Sequence, residues 1–157
     1  MNLVTICFCL NDNKEVLLAP KKRKVGVGLL NGYGGKIEGD ETPSSAAVRE
    51  LRHESSLVAF PNDLDEVAII EFMYDGQPKF KCHIFTTRLW QGEPVESKEM
   101  GPPEWHPLSR LPYDRMMPAD GYWIPVVLLA GLRIDGLINY NTDGTAVNEF
   151  RFRPLAP

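Results

Sequence analysis

Cysteine is scarce in this 157-residue chain: Cys7, Cys9 and Cys82 are the only three, and they lack the paired short spacings of a zinc site. An odd number excludes a fully paired disulfide framework, and a domain of this length buries enough surface to fold without one. Basic charge is not in excess either. With 17 Lys and Arg against 21 Asp and Glu the formal net charge is −4, which disfavours stable binding to duplex nucleic acid or an anionic membrane. No apolar run is long enough to span a bilayer; the longest, Ile124 to Leu132, is broken by Pro125. No repeat, low-complexity tract or linker interrupts the chain, and its opening residues do not read as a secretory signal. The expectation is one domain over residues 1–157 in a reducing, cytoplasmic compartment, with Cys7 and Cys9 on one strand face as free core thiols.

What is present alternates strands with two helices. LVTICFCL, residues 3–10, reads as a fully buried strand, and EVLLAP, 15–20, as its hairpin neighbour across the Asn11–Lys14 turn. The basic run Lys21-Lys22-Arg23-Lys24 leads into a segment with six glycines between Gly26 and Gly39, where backbone can approach a ligand closely. Thr42-Pro43 has the chemistry of a helix start, and the helix runs to about Ser55, packing through Val48 and Leu51. Strands follow at about 64–75 and 79–90, joined by an Asp75-Gly76 turn. A proline-rich stretch to about 117, a second helix over about 119–130 and a hairpin over about 132–153 complete an α+β pattern.

Chemistry concentrates on the first helix. At ~100° per residue, Glu50, His53 and Glu54 share one arc, expected to be exposed and turned away from Val48 and Leu51. Carboxylates four apart repel by a few tenths of a kcal/mol in a free helix, a cost that makes sense if a cation sits between them. Hard oxygen donors at this spacing suit Mg²⁺, or Mn²⁺, bridged to a phosphate; a merely solvated charged face is the alternative.

Gly35, Glu41, Arg49, Glu50, Leu51, Glu54 and Leu57 stand at the unbroken offsets of G-x5-E-x7-R-E-U-x-E-E-x-G-U, the signature box of the Nudix hydrolases. The resemblance extends over LLAPKKRKVGVGLLNGYGGKI, PVESKEM and MMPADGYWIP to the branch that hydrolyses oxidised purine nucleoside triphosphates, MutT-like and mammalian-type enzymes. It implies an α/β/α sandwich around a mixed sheet, and metal-dependent cleavage of a purine (deoxy)nucleoside triphosphate such as 8-oxo-dGTP to monophosphate and pyrophosphate. It also implies that Glu50 and Glu54 are catalytic acids and metal ligands, joined by Glu99, the Gly34 carbonyl and, at the variant position, His53. Arg49, with Glu41, would orient the ligands, and Gly35 and Lys36 would meet phosphate. Lys21 reads either as a solvated turn or as part of the triphosphate rim. Thr5, Asn31, Phe72, Met117 and Asp120 match base-pocket positions; Phe72 reads equally as ordinary core. Trp105, Tyr122 and Trp123 read as core aromatics, the last two bordering the pocket helix.

Two departures shape the expectations. His53 stands where the family has glutamate, and Ser56 where it has glycine. A neutral or cationic nitrogen donor in place of an acid predicts weaker or fewer Mg²⁺ ions, or a shift toward Mn²⁺. In the base pocket, Met117 and Ala119 replace a stacking tryptophan and one of two acids, so discrimination between oxidised and normal purines should relax. Two alternatives remain open: a related pyrophosphohydrolase for an RNA 5′ end or a nucleotide sugar, and a nucleotide-binding module whose catalysis lapsed with His53. The acting form is expected to be a monomer whose partner is the nucleotide, without stable nucleic-acid or membrane binding.

Overall fold

The computed structural model describes residues 1–157. Nine strands and two main helices follow the order β1 (Asn2–Cys9), β2 (Glu15–Pro20), β3 (Leu30–Asn31), β4 (Tyr33–Lys36), α1 (Pro43–Ser55), β5 (Asp65–Tyr74), β6 (Gln77–Thr87), β7 (Glu104–Pro107), α2 (Asp120–Ile124), β8 (Ile134–Tyr140) and β9 (Val147–Pro154). Six strands form a mixed sheet, β4-β1-β6-β5-β8-β9, in which β1 runs parallel to β6 and β5 parallel to β8. The other three, β3-β2-β7, form a small antiparallel sheet.

The α+β expectation and the mixed sheet are borne out, with one correction of pairing. The first two strands do not form a ladder. The Asn11–Lys14 turn is there, closed by a single Leu10–Val16 bridge, but β1 and β2 then diverge into different sheets. The return crossing is made at Gly32, between β3 and β4, where a side chain would press within 2.9 Å of the Cys7 carbonyl and the Phe8 ring. The proline-rich stretch supplies β7, a short partner for β2.

Period-2 alternation sorts the strands' side chains into two cores. Phe8, Ile84, Ile70, Ile134 and Ile138 face one side, with Trp123, Ile124 and Val127. Cys7, Cys9 and Phe85 face the other, against Ala47, Leu51 and Leu57 from α1 and the segment after it. All three cysteines are buried and free. The Asp75-Gly76 turn joins β5 and β6 with both residues at positive φ, 50° and 76°, as a tight hairpin demands.

The second helix departs from a regular α-helix over 119–130. α2 ends at Ile124, and residues Pro125–Leu129 continue as a π-type turn in which Ala130 N–H reaches the Pro125 carbonyl. Pro125 has no N–H to give the preceding turn, so the ladder resets around it.

Candidate active site

α1 begins as its sequence dictates: Thr42 caps it by accepting the Ser45 N–H at 3.2 Å, and Pro43 takes the first helical position. Its buried stripe is Ala46, Ala47 and Leu51; Val48 is only half-buried. Glu54 also lies on the inner flank. It is 8% exposed, not part of the solvent face that the helical arc suggested, because β4 packs there. Its Oε1 accepts the Gly34 N–H at 3.0 Å.

Burial pushes the Glu54 carboxyl up to about 7; the Gly34 N–H and the Lys21 ammonium oppose the rise, and the charges of Glu50 and Glu99 add to it. Glu54 has no cationic partner within ion-pair distance, whereas its two acidic neighbours have one each. Glu50 pairs with the Arg49 guanidinium, and Glu99 meets the exposed Arg23 at 3.4 Å. Arg49 is itself held at both ends: Nε and Nη2 donate to Glu41 at 2.7 and 2.9 Å, and Nη2 donates to the Lys36 carbonyl at 2.9 Å. That fork, with the Glu38 N–H, holds the Glu41 carboxyl down to about 2. Arg49 therefore ties the start of α1 to its acidic end and to β4.

The glycines of β4 are dictated by crowding. A Cβ at Gly34 would collide with the Thr5 carbonyl, and one at Gly35 with the Glu50 carboxylate. Strand and helix thus approach at backbone distance.

No three Asp, Glu, His or Cys side chains converge into a closed cage. The donor set nevertheless fits a hard divalent cation. One desolvated carboxylate has no cation within ion-pair distance, two further carboxylates press on it, and all three offer hard oxygens. His53 is exposed, and neither it nor Arg49 nor Glu50 lines the cavity that opens beside Glu54.

That cavity, of about 210 Å³, gathers most of the sequence-predicted residues: Thr5, Lys21, Asn31, Gly34, Gly35, Lys36, Glu54, Phe72, Glu99, Met117 and Asp120 all line it. Its acidic end is Glu54 and Glu99. Among the other lining residues, polar groups are left free to meet a ligand. Thr5 Oγ1 is buried without a partner. Asn31 Oδ1 accepts the Gly32 N–H at 2.8 Å, which leaves the amide NH₂ free to donate. Asp120 is raised to about 7 by burial, opposed by the Trp123 indole N–H at 3.2 Å and the Met117 backbone. Burial lowers the Lys21 ammonium, partly offset by the Glu54 charge.

Trp123 is core, as expected, and also lines the cavity; Tyr122 is not core but half exposed, edge-on to Phe150 at 6.3 Å. Trp105 is half-buried against Trp90. Tyr74, Phe80 and Tyr140 are cavity residues that sequence reasoning missed. Tyr74 shares a strand face with Phe72 by alternation, a signal that could have found it. Tyr140 arrives through the parallel β5–β8 register, its ring 5.2 Å from Tyr74 and 6.4 Å from Phe72, which no local pattern reveals.

A family model described as NUDIX domain matches residues 2–127. The mouse (Mus musculus) oxidized purine nucleoside triphosphate hydrolase is 39% identical over 127 residues, 80% of this chain and 79% of that protein. The zebrafish (Danio rerio) protein of the same name is 40% identical over the same lengths. Among solved structures, a MutT protein of Bacillus halodurans superposes with a TM-score of 0.83 at 22% identity, covering 99% of this chain and all of that one.

Proposed function

The chain belongs to the Nudix family, and from that premise we propose that it hydrolyses an oxidised purine (deoxy)nucleoside triphosphate, such as 8-oxo-dGTP, to the monophosphate and pyrophosphate. The observation that carries this reading is the polarity of one cavity. An under-neutralised acid, Glu54, stands at one end; the unpartnered Thr5 hydroxyl, the Asn31 amide and the Asp120 carboxyl, groups that can meet a purine edge, stand among its walls.

Enzymes of this family depend on a divalent metal; here Mg²⁺, with Mn²⁺ as substitute, is the proposed ion. Glu50, Glu54, Glu99 and the Gly34 carbonyl would hold it, with His53 as a marginal donor. When bound, such an ion neutralises phosphate oxygens and makes a coordinated water easier to deprotonate. The protein's own groups do the rest. Lys36 and Lys21 offer positive charge to the polyphosphate, and the open backbone at Gly35 lets it approach. Arg49 ties Glu50 on α1 to Glu41 just ahead of the helix cap, a positioning role. Glu54, fixed on the cavity wall by the Gly34 N–H, is the carboxylate proposed to take a proton from the attacking water.

At the base end, Asp120 offers an acceptor when ionised and a donor when protonated, so it can meet either edge of a purine. Phe72 supplies an aromatic face, and Met117 a softer contact than an indole. We read residues 1–157 as one catalytic domain acting as a cytoplasmic monomer; no helix is long and apolar enough to cross a membrane.

A pyrophosphate-release panel over normal, 8-oxo and 2-hydroxy purine triphosphates, with nucleotide sugars and triphosphorylated RNA as controls, tests the assignment. Turnover of the purine triphosphates with Mg²⁺ supports it. Turnover confined to the controls, or tight nucleotide binding without turnover, overturns it.

A further inference from the structure

Two segments, residues 21–24 and 96–101, edge the acidic end of the cavity, and their backbones are tied together. Lys22 N–H donates to the Glu99 carbonyl at 2.9 Å, Lys21 forms a β-bridge with Met100, and Gly101 N–H donates to the Pro20 carbonyl at 2.8 Å. The Lys22 ammonium adds two more ties, 2.6 Å from the Ser97 carbonyl and 2.6 Å from the Glu96 carboxylate. Against this fixed frame one side chain is loosely held. Arg23 lines the cavity with its side chain 59% exposed, and its Nη1 lies 3.4 Å from Glu99 Oε1. It is the one cation within ion-pair distance of Glu99, and Glu99 is the one carboxylate within ion-pair distance of Arg23. Lys24, the next residue, also lines the cavity but meets no carboxylate.

We propose that Arg23 is an exchange residue of the polyphosphate site: it neutralises Glu99 before nucleotide binds, then yields that carboxylate to the divalent ion and turns its guanidinium to the phosphate oxygens. The inference rests on the polyphosphate reading above. A hard cation seeks the Glu99 oxygens that the guanidinium faces, so the two compete for one carboxylate. An exposed ion pair of this length is weakly held, and the ion prevails. Once released, Arg23 has no other carboxylate to meet, and its planar fork of N–H donors matches a phosphate. Because the flanking backbone is tied, the exchange needs side-chain rotation alone. Metal and nucleotide then favour each other's binding, since the phosphate gives Arg23 the partner that the metal takes away.

The experiment has two arms. Mn²⁺ binding to the nucleotide-free protein is read from the electron paramagnetic resonance of the free ion, and KM and kcat for 8-oxo-dGTP are measured at saturating Mg²⁺. Arg23→Ala should tighten Mn²⁺ binding about two- to fivefold, the size of an exposed ion pair removed. It should also raise KM about tenfold, the loss of a charge-assisted contact to phosphate, with kcat held within about threefold. Lys24→Ala removes the same charge one residue along and should leave Mn²⁺ binding unchanged. Both side chains are exposed, so neither truncation puts folding at risk. Unchanged or weaker Mn²⁺ binding in Arg23→Ala, equal tightening in Lys24→Ala, or an unchanged KM overturns the exchange. Absence of turnover for every purine triphosphate overturns the proposed function, while the Mn²⁺ arm, which uses no nucleotide, still decides whether Arg23 competes for Glu99.

Discussion

Ser56 ends α1 in the left-handed region, φ 70° and ψ 4°, with its N–H returned to the Arg52 carbonyl. The family box has glycine at this point, and the left-handed backbone gives the physical reason: a Cβ is penalised there. Ser56→Gly should raise stability by about 0.5–1 kcal/mol in urea unfolding, without touching catalysis. Glu54 makes the opposite case. The sequence placed it on an arc with Glu50 and His53, but a helical arc cannot say which flank a distant strand will cover, and β4 covers this one. Glu54→Gln should retain the fold by circular dichroism and lose about 10²–10⁴ in kcat; near-native turnover would remove Glu54 from the chemistry. His53, exposed at the last turn beside Arg52, also stands where basic side chains complement the helix carbonyl end. His53→Glu should tighten Mg²⁺ activation and narrow the Mg²⁺–Mn²⁺ difference, read from metal titrations of initial rate. Unchanged titrations would assign His53 to the helix end alone.

Among the elements, those specified by local chemistry were legible. Thr42-Pro43 marks the start of α1 to the residue, and Asp75-Gly76 marks the β5–β6 hairpin. Removing the cap oxygen with Thr42→Ala should cost about 1 kcal/mol by thermal unfolding, and activity should fall only as far as Glu50 and Glu54 lose their mounting. Elements defined by what lies across from them were not legible. The Asn11–Lys14 turn announces a reversal but not whether the strands it joins remain partners; the Gly32 crossing, a long-range demand, separates them. The second helix was visible from Ala119 onward, yet its change of hydrogen-bond pitch depends on Pro125 meeting a buried flank that Trp123, Ile124 and Val127 supply.

For the molecule as a whole, two buried acids set a pH response. Asp120 and Glu54 are each raised to about 7, so between their unfolded values near 4 and pH 7 the native state binds more protons than the unfolded chain. Stability of the metal-free protein should therefore fall as pH rises through that window and level off above it, with each group contributing up to a few kcal/mol. The half-buried Glu41, depressed to about 2, works the other way: its contribution is present above about 4.5 and lost as pH falls through 2. Urea midpoints from pH 4 to 8 in a chelator should show the decline. Asp120→Asn should flatten part of it, and added Mg²⁺ the part due to Glu54, whereas a midpoint that rises with pH would contradict the burial of both acids. The acidic end of the cavity was largely readable in advance because Gly34, Gly35, Lys36 and Glu54 lie in one short stretch at fixed offsets, whereas Lys21 and Glu99 come from outside it. The base end is assembled from β1, β3, β5, β8 and α2, so only a matching pattern, not periodicity, could point to it.

The seat of β1, between β4 and β6 in the larger sheet, bears on how the chain is made. β1 is an interior strand that leaves the ribosome well before its parallel partner, β6. At ~5–20 residues per second, each β6 residue follows its β1 partner by roughly 4 to 16 s, and until then LVTICFCL has at most β4 beside it and one apolar edge left open. Nascent chains arrested before residue 77 should be captured by holdase chaperones through this open edge, and those extended beyond β6 should be released.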